Sequence, residues 1–264
     1  MKRKICILLT ACVNPDGMAY TALQDPEERQ RQYVEALDFY LKETNTPVVF
    51  VENTLTDFSS QYKSSIDSGR LEYLTFDGNN YDKKLGKGYG EAKLIMYAYE
   101  HSRILKECDY VVKITGRLII RNIKNIIISK WFLLNNIFRC DFVRVGVLYS
   151  MLFVASPLCL YQMMRRNACN INDSRGVYFE HVLYNAITER NVLTIPFFKP
   201  VQIEGVSGTS NRKYMNRRPG ENLIINLQSA SRLCNLQHRY LLAFLYKSLM
   251  ILPRSYFYIK KLFL

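Results

Sequence analysis

Lys113 and Arg117 are the residues whose type and spacing point most directly to chemistry. Lys113 interrupts an apolar run, and Arg117 follows three residues after Ile114 in the segment Lys113-Ile114-Thr115-Gly116-Arg117. An arginine offers forked donors and a lysine a point charge, so two such cations at one strand end suit a pyrophosphate. An internal ion pair of Lys113 with Glu91 or Glu52 is the other reading of the same residues. A second group is Gly86-Lys87-Gly88-Tyr89-Gly90-Glu91. Its glycines permit close backbone approach to a ligand, and a helix starting there favours phosphate. The spacing is not that of a P-loop, and the group does not follow its strand directly, as a dinucleotide fingerprint would. A flexible loop explains it equally well.

Such residues need a scaffold, and the chain suggests one. Ile5–Ala11 reads as a buried strand, followed by turn residues Asn14–Gly17 and a helix over Pro26–Glu43. Further strands are predicted at Val48–Val51, Leu71–Phe76 and Tyr110–Ile114, with a helix over Gly90–Leu105 before the last of these. Phe142–Val147, Tyr149–Ala155 and Val192–Ile195 also read as strands, and Pro157–Arg166 and Val177–Arg190 as helices. Strands alternating with helices predict an α/β fold with a mixed, mostly parallel sheet covered by helices on both faces. Ligands gather beyond the carboxyl ends of such strands, where Lys113 and Arg117 fall.

The composition of the 264 residues narrows the class. Hydrophobic content of 48% with 22% charged residues is that of a globular chain, not a disordered one. Thirty-six Lys and Arg against 23 Asp and Glu give a net charge of +13, which suits a polyanionic partner. Seven cysteines without a CxxC pair, and only three histidines, argue against a zinc site and for free thiols in a reducing compartment. The apolar run Ile5–Val13 is too short to span a bilayer, and Val145–Met164 is broken by Gly146, Ser156, Pro157 and Gln162.

Taken together, the segments Ile5–Ala11, Val49–Asn53, Gly86–Glu91, Lys113–Arg117, Tyr178–His181 and Glu204–Gly208 resemble those of GT-A-type glycosyltransferases of bacterial capsule and O-antigen synthesis. The resemblance covers residues 4 to 215. It implies a GT-A-like, Rossmann-related sheet, a nucleotide-sugar donor and a surface-polysaccharide acceptor. It implies Glu180, at the start of a late helix, as the base that takes the acceptor's proton, with Asp173 a lesser rival and His181 a packing residue. At the donor end it implies Thr10 and Cys12 against the nucleoside through their backbones, with Glu52 and Asp57 bonding uracil or ribose. Gly88, Gly90, Glu91, Thr115 and Gly116 would line the diphosphate. The loop Gly205–Tyr214, carrying Ser207, Arg212 and Lys213, would form a lid, or else an ordinary basic surface loop.

One departure is plain: the sequence contains no Asp-x-Asp, with which such enzymes usually hold a divalent metal. Lys113 and Arg117 stand at that position, so the expectation is transfer without a required cofactor, fixed positive charge replacing the metal on the departing diphosphate. A divalent metal is not thereby excluded.

The chain divides, in this reading, into a catalytic domain over residues 1–221 and a helical tail over 222–264. From Asn222 to Leu264 there is no Asp or Glu, while Arg232, Arg239, Lys247, Arg254, Lys260 and Lys261 lie among Leu, Phe and Tyr. Such a tail suits an anionic membrane surface, or else packs one face on the domain. The expectation is therefore a cytoplasmic hexosyltransferase, peripheral to the inner face of the membrane. Its donor would be a UDP-hexose and its acceptor a saccharide carried on a polyprenyl diphosphate. Two alternatives remain: a nucleotidyltransferase acting on sugar phosphates, or a basic nucleic-acid-binding protein. For the latter there is no supporting motif.

Overall fold

A computed structural model describes residues 3–128, 136–144, 146–210, 212–215 and 219–250. In chain order its elements are β1 (Ile5–Ala11), α1 (Pro26–Glu43), β2 (Val48–Glu52), α2 (Lys63–Asp67), β3 (Leu71–Thr75), α3 (Lys87–His101), α4 (Arg103–Glu107) and β4 (Tyr110–Thr115). Then follow β5 (Ile119–Ile120), α5 (Ile123–Ile127), β6 (Ile137–Arg144), β7 (Val147–Ala155), α6 (Pro157–Asn167), α7 (Phe179–Glu189), β8 (Leu193–Pro196), β9 (Ile203–Glu204), α8 (Pro219–Leu236) and α9 (Tyr240–Leu249).

Seven strands form one sheet in the order β3-β2-β1-β4-β7-β6-β8. All neighbours run parallel except β7, which is antiparallel to both β4 and β6. The α/β class and the mixed, mostly parallel sheet thus follow the expectation. Because β7 runs backwards, its first residues lie at the edge where β1 and β4 end. That edge carries the site.

Alternation along β1 and β4 sorts side chains to two faces. Cys6, Leu8 and Val111 join α3, α6 and α7 in one core, while Ile7, Leu9, Val112 and Ile114 join α1 and α5 in the other. Helix α1 begins where Asp25 accepts the backbone N–H of Glu27 at 3.0 Å, with Pro26 in the first turn. Its Tyr33, Ala36, Leu37 and Tyr40 are buried at helical spacing.

Helix α3 departs from expectation. It starts at Lys87, so the glycine segment is its first turn and not a preceding loop, and it ends at His101. Ser102 breaks it there by capping α4, accepting the N–H of Leu105 at 2.9 Å. The boundary drawn at 221/222 falls inside α8, which packs on β6 and β8. Asn226 of α8 is buried, accepts from Phe142 N at 3.0 Å and donates to Asp141 and to the Phe197 carbonyl. The tail residues 251–264 lie outside the described residues.

Candidate active site

A cavity of about 350 Å³ opens at the carboxyl ends of β1 and β4 and the beginning of β7. The first turns of α3 and α7 and the segment Val206–Thr209 complete its walls. It gathers Thr10, Cys12, Gly88, Gly90, Glu91, Lys113, Thr115, Arg117 and Glu180 from the sequence-based set.

Lys113 is wholly buried, on the sheet face toward α3. It forms an ion pair with Glu91 of α3, donates to the Ser150 carbonyl at 2.9 Å and reaches Thr115 Oγ1 at 3.5 Å. Glu91 also accepts from Thr10 Oγ1 at 2.8 Å. The alternative of an internal pair with Glu91 is therefore what the geometry displays. A buried ammonium needs such a partner, because an unpaired one would be costly.

Arg117 differs. It is also buried, yet it meets no carboxylate among the described residues. Its Nη1 donates to Gln32 Oε1 of α1 at 2.7 Å, and its Nε has no partner. Gly116 makes this placement possible: a Cβ there would stand 2.7 Å from the Thr10 carbonyl and 3.2 Å from the Tyr33 ring. A second cation, Lys87, sits on the rim and bonds to Thr209 Oγ1. Desolvation lowers its pKa, against the nearby carboxylates Glu180 and Asp173, and Arg117 adds to the lowering.

Glu180 lies in the first turn of α7, half-buried, and accepts from Ser150 Oγ at 2.5 Å. The same Ser150 supplies its carbonyl to Lys113, so one residue of β7 ties the carboxylate to the buried pair. Asp173 is buried beneath the start of α3. Burial raises its carboxyl pKa, against a lowering by the backbone of Gly88 and Lys87. The carboxylate packs against Gly86, which sits at φ +84° where a Cβ would meet it at 2.1 Å. A protein carboxylate thus lies against the glycine segment, which opposes the phosphate reading of it. His181 Nδ1 receives the Tyr178 backbone N–H at 3.4 Å and caps α7, in keeping with a packing role.

At the other end, the Cys12 carbonyl accepts Arg29 Nε at 2.8 Å, and burial pushes the Cys12 thiol up to about 11. Gly88 abuts Phe179 and Gly90 abuts Tyr81, each so closely that a Cβ would crowd the neighbour. Glu52 does not face the cavity. It is fully buried and accepts bonds from Val13 N, Thr54 N, Thr54 Oγ1, Thr56 N and Thr75 Oγ1. It is thus a tie among the loops after β1, β2 and β3. Asp57 is exposed and turned to Ser59 N at 2.8 Å, which holds its pKa below the usual carboxylate range. Donors of the protein itself meet both acids: five around Glu52, one at Asp57. The residue that does enter the cavity from β2 is Asn53, buried, its Oδ1 without a partner. Its position one residue after Glu52 was the only hint in the sequence.

The segment after β9 borders the cavity, but not through the residues expected of a lid. Val206, Gly208, Thr209 and Tyr214 line it, while Arg212 and Lys213 are exposed outside. Ser207 N bonds to the Arg212 carbonyl at 2.8 Å, and Ser207 Oγ accepts from Thr209 N at 3.3 Å, shaping the turn. Gly205 adopts φ +138° against Leu118 as the chain leaves β9. Gly208 anchors the segment by accepting Ala22 N at 2.8 Å, and it rests on Arg117.

No family model matches this sequence, and no curated protein does. Solved structures resemble the chain at low identity. A cytidylyltransferase from Leptospira borgpetersenii aligns with 12% identity and a TM-score of 0.44, covering 86% of each chain. A mannosyltransferase from S. cerevisiae aligns with 10% identity and a TM-score of 0.40, over 83% of this chain and 77% of that one. The core-mannan synthase A of Aspergillus fumigatus, in its Mn/GDP form, gives 7% identity and 0.43, over 82% and 79%. The chain is thus similar to both nucleotidyl- and glycosyltransferases. Likeness at this level leaves the reaction to be argued from the site.

The resembled family's divalent ion can be tested against these residues. At the end of β4, Glu91 is held by Lys113 and Thr10, and the cation Arg117 follows the strand. Among the described residues no cluster of three or more His, Cys, Asp or Glu is placed to hold a metal. The residues at this position do not fit the ion.

Proposed function

We propose that this chain is a GT-A-type glycosyltransferase that moves a sugar from a nucleoside-diphosphate donor to a hydroxyl of a saccharide acceptor, with inversion. The observation that carries the reading is Arg117: a buried guanidinium with an unpartnered edge, in the same cavity as the carboxylate of Glu180. The donor's nucleoside would lie by Cys12 and Asn53 and its diphosphate by Arg117. Glu180 takes the proton of the acceptor hydroxyl as that oxygen attacks the anomeric carbon. The anomeric C–O bond breaks, and its electron pair passes to the diphosphate, whose charge the guanidinium stabilises. Lys113, committed to Glu91, acts by position: it holds α3 and β7 around the cavity. A UDP-hexose donor and an acceptor on a polyprenyl diphosphate belong to the same proposal.

A calorimetric screen of UDP-, GDP-, CMP- and dTDP-sugars, each with EDTA and with Mn²⁺, tests it. One donor should bind equally in both. Binding only with Mn²⁺ keeps the enzyme class and removes the role given to Arg117. Binding of none refutes the proposal. Release of pyrophosphate from a nucleoside triphosphate and a sugar phosphate would make the chain a nucleotidyltransferase.

A further inference from the structure

Helix α9 buries Ala243 and Tyr246 against α8, as an amphipathic helix should. Its opposite side is also apolar: Leu241 is 74% exposed, Phe244 65%, Leu245 47% and Leu249 42%. Spacings of three and four residues set these side chains on one ridge. An isolated exposed leucine needs no explanation, but a contiguous ridge of this kind marks an interaction surface. The surrounding charge identifies the partner. From Asn222 to Leu264 the sequence has no Asp or Glu, and Lys247 of α9 and Arg232 of α8 are exposed. Arg254, Lys260 and Lys261 continue the same bias beyond the described residues.

We infer that this face of α9 docks on an anionic lipid bilayer. Leu241, Phe244 and Leu245 enter the boundary between headgroups and acyl chains, while the cations meet the anionic headgroups. A second copy would bring the same acid-free, cationic surface against this one, and like charge opposes that pairing. No helix among the described residues is long and apolar enough to cross a membrane, so the contact lies in the membrane plane. The inference stands apart from the transferase reading and needs no nucleotide.

The test is flotation of the full chain with phosphatidylcholine vesicles, with and without three parts in ten phosphatidylglycerol, at low and high salt. Binding to the anionic vesicles, weakened by salt and absent on the neutral ones, is expected. The triple variant Leu241→Ser, Phe244→Ser, Leu245→Ser should partition about tenfold less or weaker still, with an unchanged melting temperature. Equal binding by that variant, or no binding by the wild type, overturns the inference. So does a wild-type dimer in sedimentation that the variant turns into monomer, since the occupant would then be a second copy. A variant that melts earlier, with no vesicle binding by either protein, would show that residues 251–264 cover the ridge, and overturns it as well.

Discussion

Replacing Arg117 by methionine separates the two cations at the end of β4. Methionine keeps most of the apolar stem and removes the donors, so the charge is lost with little change in side-chain volume. In the protein without ligand, the guanidinium uses Nη1 for Gln32 and leaves Nε unpartnered. A diphosphate oxygen filling that edge makes at least one charge-assisted hydrogen bond, worth about 1.5–3 kcal/mol net. At about 1.4 kcal/mol for each tenfold in affinity, Arg117→Met should weaken nucleoside-diphosphate binding about 10- to 150-fold. Calorimetry with UDP, GDP and their sugars measures this directly. Gln32→Ala is the control. It breaks the one hydrogen bond that the structure gives Arg117 and leaves the charge, so affinity should change far less than in Arg117→Met. Arg117→Lys should fall between, because it retains charge but not the fork. If Arg117→Met binds the diphosphate as tightly as the wild type, the free edge is not the diphosphate site and the reasoning fails.

Glu180→Gln should leave donor affinity unchanged and slow transfer by about 10²-fold or more, as loss of a general base does; undiminished turnover would remove Glu180 from the role. Glu91→Gln leaves the Lys113 ammonium buried without its counter-charge and should destabilise the fold by about 3–5 kcal/mol in denaturant titration. Adding Lys113→Met to that variant should restore much of the loss, and failure to do so would show that the pair is not the source. Asp173 gives a pH dependence whose sign follows from burial. Its carboxyl pKa is raised in the fold, so its favourable contribution is complete below the ordinary aspartate range and is lost as pH rises through the folded value. Asp173→Asn should therefore melt higher than the wild type at pH 8, with the gain vanishing toward pH 3, and a pH-independent difference would refute this.

The parts of the fold legible in the sequence were those whose partners are local. Apolar runs bounded by turn residues marked β1, β2 and β4, and the pattern over Pro26–Glu43 marked α1, because such patterns act within a few residues. What was illegible depended on partners far along the chain. The backward insertion of β7 between β4 and β6 has no local signature, yet it brings Ser150 to both Lys113 and Glu180. Without it, Lys113 reads as a free cation facing the ligand edge; with it, the lysine's donors are taken. Glu52 and Asn53 make the same point at one strand end. Glu52 ends β2 and Asn53 follows it, but five donors from Val13, Thr54, Thr56 and Thr75 close around the glutamate, and of the two only the asparagine is left with an unpartnered oxygen. An acid at the end of a strand therefore reports a demand for hydrogen bonds, and the donors brought there, by its own loop and by more distant strands, decide whether the protein or a ligand meets it. By that criterion the buried side chains of this cavity left with an unpartnered atom are Arg117, Asn53 and Asp173. Arg117 lies beyond β4 and Asn53 beyond β2, with β1 between them, so in the proposed reading the diphosphate would meet the first and the base the second.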